Sequence, residues 1–101
     1  MITLKTARNR GNARIWLDRA SCRTLAIKHG EPYSVEFGPD AIRLHFPPRT
    51  VDGRARKVAG SADRPVVDLC SRKVDPSIGG AERYSAARTT PSIVTIKGAA
   101  S

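Results

Sequence analysis

Sliding the chain against itself by 51 residues superimposes its apolar pattern without a gap. Ile15 falls on Val66, Trp16 on Val67, Ile27 on Ile78, Tyr33-Ser34 on Tyr84-Ser85 and Ile42 on Ile93. A period of this length makes each copy one supersecondary unit. One unit of a few short strands cannot bury its own apolar face, so the two must close on each other. With 101 residues in all, the expectation is one compact domain built from two half-repeats, 14–46 and 65–97.

Within the first copy, Arg14 to Leu17 is a short strand and Arg19 to Leu25 one or two helical turns. Lys28 to Pro32 is a turn, because Gly30 and Pro32 punctuate it. Tyr33, Val35 and Phe37 alternate with Ser34 and Glu36, which is strand period. Gly38-Pro39-Asp40 turns the chain into a return strand carrying Ile42, Leu44 and Phe46, and Pro47-Pro48 ends it. The second copy repeats the plan with Val66 to Leu69, then Tyr84 to Ala87 and Ile93 to Ile96 joined through Thr89-Thr90-Pro91. Pro76 falls in its helical segment and should shorten or abolish that helix. Lys57-Val58-Ala59 is a further short strand within 47–64. The fold class is therefore mostly β with short helical turns: two pseudo-symmetric halves forming a small barrel-like domain. Trp16, Phe37, Phe46 and the Ile/Val set are expected as its apolar layer, with Tyr33 and Tyr84 as packing residues.

The charge is strongly basic, at 18 Lys+Arg against 9 Asp+Glu, and it is not spread evenly. Residues 1–14 carry Lys5, Arg8, Arg10 and Arg14 with no acid, and residues 49–64 carry a net +3. Residues 1–14 and 49–64 together hold seven of the nine net charges, and they are read as a basic N-terminal arm (1–13), which Arg14 adjoins, and a basic linker (47–64). Arg outnumbers Lys by 13 to 5, and guanidinium forks match phosphate bidentately. A polyanion, double-stranded DNA first, is the partner this balance suits. An apolar content of 40% is too high for a disordered chain, and no apolar run approaches the roughly 20 residues of a membrane span. The first 14 residues show no secretory h-region, so a cytoplasmic protein is expected.

Catalytic and metal-binding chemistry is not expected. Cys22 and Cys70 form no CxxC, and His29 and His45 lie 16 residues apart, so neither a cofactor nor a structural zinc site is called for. No motif surrounds Ser21 or Cys22 as a nucleophile. Gly79-Gly80 lacks the sequence of a phosphate loop. His45, alternating with Arg43, is placed on the solvent face of its strand.

The run Ala13-Arg14-Ile15-Trp16-Leu17-Asp18, followed by Leu25 through Val35, resembles the swapped-hairpin family of AbrB, SpoVT and MazE. That pattern reads approximately G-R-I-x-I-P, a short helix, L-G-[IL]-x-x-G-D-x-[VY]-x-V, then a hairpin. Here Asp18 stands for its Pro, and Ala13 and Ala26 for glycines. The opening also looks like that of small phage proteins associated with DNA-modification genes, which implies a bacterial host. In the family, two half-domains from two chains interleave into one DNA-binding unit. The resemblance implies that this chain builds the unit alone, as a folded monomer, with a dimer as the alternative. It carries Arg14, Arg19 and Arg23 across as DNA contacts, with Arg64, Arg72 and Lys73 in the second copy.

The expected function is thus a small basic DNA-binding protein, a phage-type transcriptional regulator or DNA-modification accessory, and not an enzyme. The alternative is a phage-encoded inhibitor of a host defence complex, anti-CRISPR or anti-restriction, that binds a protein or nucleoprotein. An antitoxin reading is weakest, because Gly98 to Ser101 is too short for a neutralising tail. The expected binding residues are Lys5, Arg8, Arg10, Arg14, Arg19, Arg23, Arg54, Arg56, Lys57, Arg64, Arg72 and Lys73.

Overall fold

Strand period puts alternate residues on opposite faces, and the apolar members of the two copies turn inward together. In the computed structural model, which describes residues 1–99, the chain runs as follows. Copy one and the residues before it form β1 (Ile2–Lys5), β2 (Ala7–Asn9), β3 (Asn12–Leu17), α1 (Arg19–Thr24), β4 (Pro32–Phe37) and β5 (Ile42–His45). A 3-10 turn at Thr50–Asp52 follows, then β6 (Arg56–Lys57), β7 (Ala59–Gly60), β8 (Pro65–Cys70), α2 (Val74–Ile78), β9 (Arg83–Thr90) and β10 (Ile93–Gly98). The architecture is mostly β. A six-stranded sheet has the order β1-β9-β10-β5-β4-β6, and a four-stranded sheet the order β2-β3-β8-β7.

The expected barrel does not close. β1 and β6 are the edges of the larger sheet, β2 and β7 those of the smaller. The chain instead crosses between sheets four times, through α1, through α2 and at two single-residue corners, Thr6 and Val58, both buried. At one corner Thr6 N donates to Glu82 O; at the other Val58 N donates to Glu31 O and Gly30 N to Val58 O. Backbone groups that leave one ladder are thereby satisfied before the next begins.

Each sheet contributes one inward face. Ala13, Ile15, Leu17, Val67 and Leu69 of the small sheet are fully buried, facing Tyr33, Val35, Ile42, Leu44, Tyr84, Ala86, Val94 and Ile96 of the large one. Between the copies, β3 pairs antiparallel with β8 and β5 with β10. Burial matches Tyr33 to Tyr84 at the 51-residue spacing but Ile42 to Val94, one residue further than the sequence alignment put it. In the second hairpin the β9–β10 register shifts beside Val94, leaving Thr89 outside the ladder. The extra residue is accommodated as a bulge.

Pro76 shortens α2 to five residues without abolishing it. It occupies the third helical position, where the missing N–H has no acceptor within the helix in any case.

Three expectations are corrected by the packing. Trp16 is 42% exposed, because Ile15 and Leu17 occupy the inward face of β3 and strand period turns Trp16 out. His45 is buried and not on a solvent face: its Nε2 lies 2.9 Å from Glu36 Oε1, under the segment that follows β5. There Ser34 donates to Asp52 at 2.7 Å, and Arg49 makes two hydrogen bonds to the same carboxylate at 3.0 and 2.6 Å. The stretches expected as arm and linker are therefore structural. Residues 1–13 supply an edge strand to each sheet, and 47–64 cover the outer face of β4 and β5 before supplying two more. The tail reading extends to Ala100 and Ser101, outside the described residues.

Candidate nucleic-acid interface

The basic residues separate into those consumed by the fold and those left for a partner. On the β2–β3 hairpin, Arg8 pairs with Asp75 at 2.6 Å. Arg14 makes a bidentate pair with Asp68 at 2.8 and 2.9 Å, which raises the Arg14 pKa further. Arg10 stands at the hairpin tip with φ of 54°, followed by Gly11 at 84°. Two successive positive φ values are what a two-residue hairpin turn demands, and Gly11 meets the demand without strain.

Around α1 the arrangement differs. Asp18 caps the helix by accepting from Ser21 N at 2.8 Å, and that bond holds the Asp18 carboxyl below its ordinary pKa. Arg19 and Arg23 then fall four residues apart on one helix face. The β7–β8 turn, closed by Ser61 N to Arg64 O and Arg64 N to Ser61 O, brings Arg64 alongside. The three arginines line a concavity of about 740 Å³ together with Lys28, His29 and Asp63. An adjoining hollow of about 520 Å³ is lined by Asp18, Arg19, Arg23, Arg64 and Val66. All three arginines are exposed, and no ion pair engages them among the described residues.

A second groove, of about 950 Å³, lies beside α2. Arg54, Arg56 and Lys73 line it with Phe37 and Val51, and Lys73 Nζ sits 5.9 Å from the centre of the Phe37 ring. Lys5 ends β1 opposite Arg83, Lys57 lies on β6 and Arg72 precedes α2. None of these three lines either concavity. The expected set is thus divided between two concavities, a hairpin and three positions, Lys5, Lys57 and Arg72, that join none of them.

Sequence reading passed over Lys28 and His29, which join the α1 concavity, and Trp16. The first two follow Ile27 directly, and a basic pair next to a buried anchor was the available signal. Arg88 looks like one more surface cation but is structural. It donates to the carbonyls of Leu25 and Ala26 at the end of α1, at 2.8 and 3.3 Å, and to Pro91 O.

Cys22 is buried, its Sγ donates to Leu17 O, and burial pushes its pKa up to about 11. Among the described residues no group of His, Cys, Asp and Glu is placed to hold a metal. No helix is long and apolar enough to cross a membrane. No family model, curated protein or solved structure matches the chain.

Proposed function

We propose that this chain is a small DNA-binding protein that engages the phosphates of double-stranded DNA through the α1 concavity. The observation that carries the reading is the convergence on one open surface of Arg19 and Arg23, both on α1, with Arg64 from the β7–β8 turn, none of them engaged by an ion pair among the described residues. Exposed arginines that the fold does not use are suited to bidentate phosphate contacts. The chain acts in this reading as a binding module without catalysis, of the phage regulatory or DNA-modification type.

The same reading takes the two halves as a swapped-hairpin pair within one chain, as the resemblance to the AbrB, SpoVT and MazE family implies. Its support is the exchange of edge strands. β1 lies on β9 of the second copy, and β6, which precedes the second copy, lies on β4 of the first.

Mobility-shift titrations at several salt concentrations test the proposal. Affinity for duplex DNA should fall with salt at a log–log slope of about −0.9 per phosphate neutralised. Replacing Arg19, Arg23 and Arg64 by Ala should flatten that slope by roughly 1 per arginine. Absence of binding even at low salt would sink the proposal.

A second reading has its own observation. The α2 groove combines exposed Val51 (81%) and Phe37 with Arg54, Arg56 and Lys73. That mixture fits an acidic, partly apolar protein segment, as the inhibitor reading requires. Pull-down from bacterial lysate with and without nuclease separates the two: a protein partner retained after nuclease treatment favours this second reading.

A further inference from the structure

The outward face of the small sheet carries a feature that phosphate binding does not use. Trp16 lies on it 42% exposed, with the Arg14 guanidinium carbon 4.6 Å from its ring centre. Arg14 is held there by its two bonds to Asp68, the residue directly across from Trp16 on β8. The backbone beneath is fixed as well. Tyr84 Oη donates to Trp16 O at 3.1 Å and accepts from Trp16 N at 3.3 Å, satisfying the strand edge that β2 leaves open. The result is an aromatic platform, with the Arg14 charge matched by Asp68, whose geometry is set before any partner arrives, which lowers the ordering cost of binding.

The platform is continuous with the arginine concavity. Two residues along β8 from Asp68, on the same face and about 7 Å away, is Val66, and Val66 lines the hollow that holds Arg19, Arg23 and Arg64. A stacking surface therefore borders an anion-binding surface. That combination selects the occupant. A single strand presents π-faces and phosphates in alternation, whereas a duplex keeps its base faces inside the stack. Aromatic platforms beside basic grooves are the general means of holding unpaired bases.

We propose that this face binds single-stranded DNA, with an unpaired base stacked on the Arg14–Trp16 pair and the adjoining phosphates on Arg19, Arg23 and Arg64. The inference rests on the DNA-binding reading above and adds a form of DNA that it does not require.

Trp16 is the chain's single tryptophan, so intrinsic emission reports from this site alone. The probes are a mixed-sequence single strand of about 20 nucleotides, longer than the roughly 4–16 that one binding face covers, and the duplex of the same sequence. The single strand should quench Trp16 emission and the duplex should not. By anisotropy with labelled DNA, Trp16→Ala should weaken single-strand binding about 5- to 100-fold. Trp16→Phe, which keeps a ring, should lose less, and duplex affinity should stay level in both variants. Equal quenching by duplex and single strand would overturn the inference, as would Trp16→Ala binding single strands as tightly as the parent. Either result, with duplex binding intact, leaves the phosphate-binding reading standing. Failure to bind either DNA removes both.

Discussion

Ala26 closes α1 with φ of 57°, a conformation that side-chain-bearing residues rarely adopt. The helix end needs it, since Ala26 N bonds to Arg23 O and Ile27 N to Cys22 O. Arg88 then clasps the carbonyls of Leu25 and Ala26, holding the turn closed. Glycine relieves the left-handed strain of about 1 kcal/mol but adds entropy to the unfolded chain. The expected net result for Ala26→Gly is a gain of roughly 0.5 kcal/mol, read as a higher urea midpoint at unchanged m-value. Ala26→Val should lose at least about 1 kcal/mol, because a β-branched side chain fits that φ worst. Gly98 makes the opposite case. A Cβ there would drive into Ile78 O and Ala81, so Gly98→Ala should destabilise by roughly 1–3 kcal/mol by forcing the end of α2 away from β10.

At the scale of an element, the segment after β5 is held by polar bonds more than by apolar burial. Asp52 takes bonds from Ser34 and Arg49, and Arg49 also reaches Glu36, which in turn meets His45. Arg49 beside it, then the Ser34 hydroxyl, hold the Asp52 carboxyl down at about 2, below its ordinary 3.8. The folded protein therefore binds this proton more weakly than the unfolded chain. The stabilisation is complete above 3.8 and is lost as pH falls towards 2. Asp52→Ala should cost about 2 kcal/mol at neutral pH by taking the acceptor from the buried Ser34 hydroxyl and leaving the Arg49 guanidinium only its contact with Glu36. The variant should also show a shallower loss of stability between pH 4 and pH 2 than the parent in urea titrations, since its share of that acid limb (of about 2 units) is gone. An unchanged acid limb would mean that Asp52 does not couple folding to pH.

For the molecule as a whole, the radius of gyration of 12.4 Å matches the ~13 Å of a compact domain this long, so the basic stretches 1–13 and 47–64 are folded in. The chain supplies both partners of every inter-copy ladder, and light scattering at low micromolar concentration should return the monomer mass of 10.9 kDa. Arg54, Arg56 and Lys57 remain exposed although 47–64 is structured. With DNA on the α1 concavity, replacing all three by Ala should leave the salt dependence of DNA binding close to the parent's and the thermal midpoint nearly unchanged, because exposed charges contribute little to stability. A fall in the midpoint would show that the β6 edge depends on those side chains.

The sequence by itself determined the order of elements within the two half-repeats and which residues turn inward along most of their strands. It did not determine the strands β1 and β2 of residues 1–13, nor that Lys57 and Ala59 belong to two strands in different sheets, with Val58 the corner between them. Periodicity is local: Ile15 and Leu17, Tyr33 and Val35, Ile42 and Leu44 are spaced by the strand repeat whatever they pack against. Proline and glycine placed the turns for the same reason. Tertiary structure decided everything that depends on what covers a face. A tryptophan in an apolar run reads as core, yet β3 has one inward face and Ile15 and Leu17 fill it. A histidine alternating with arginine reads as solvent-facing, yet the segment around Asp52 folds over it. Charge told how many cations the chain carries but not which are spent. Asp68 and Asp75 claim Arg14 and Arg8 from 54 and 67 residues away, while Arg64, at the end of the segment between the copies, joins Arg19 and Arg23. Such pairings are set by the closure of two sheets, and no local pattern encodes a distance that only closure creates.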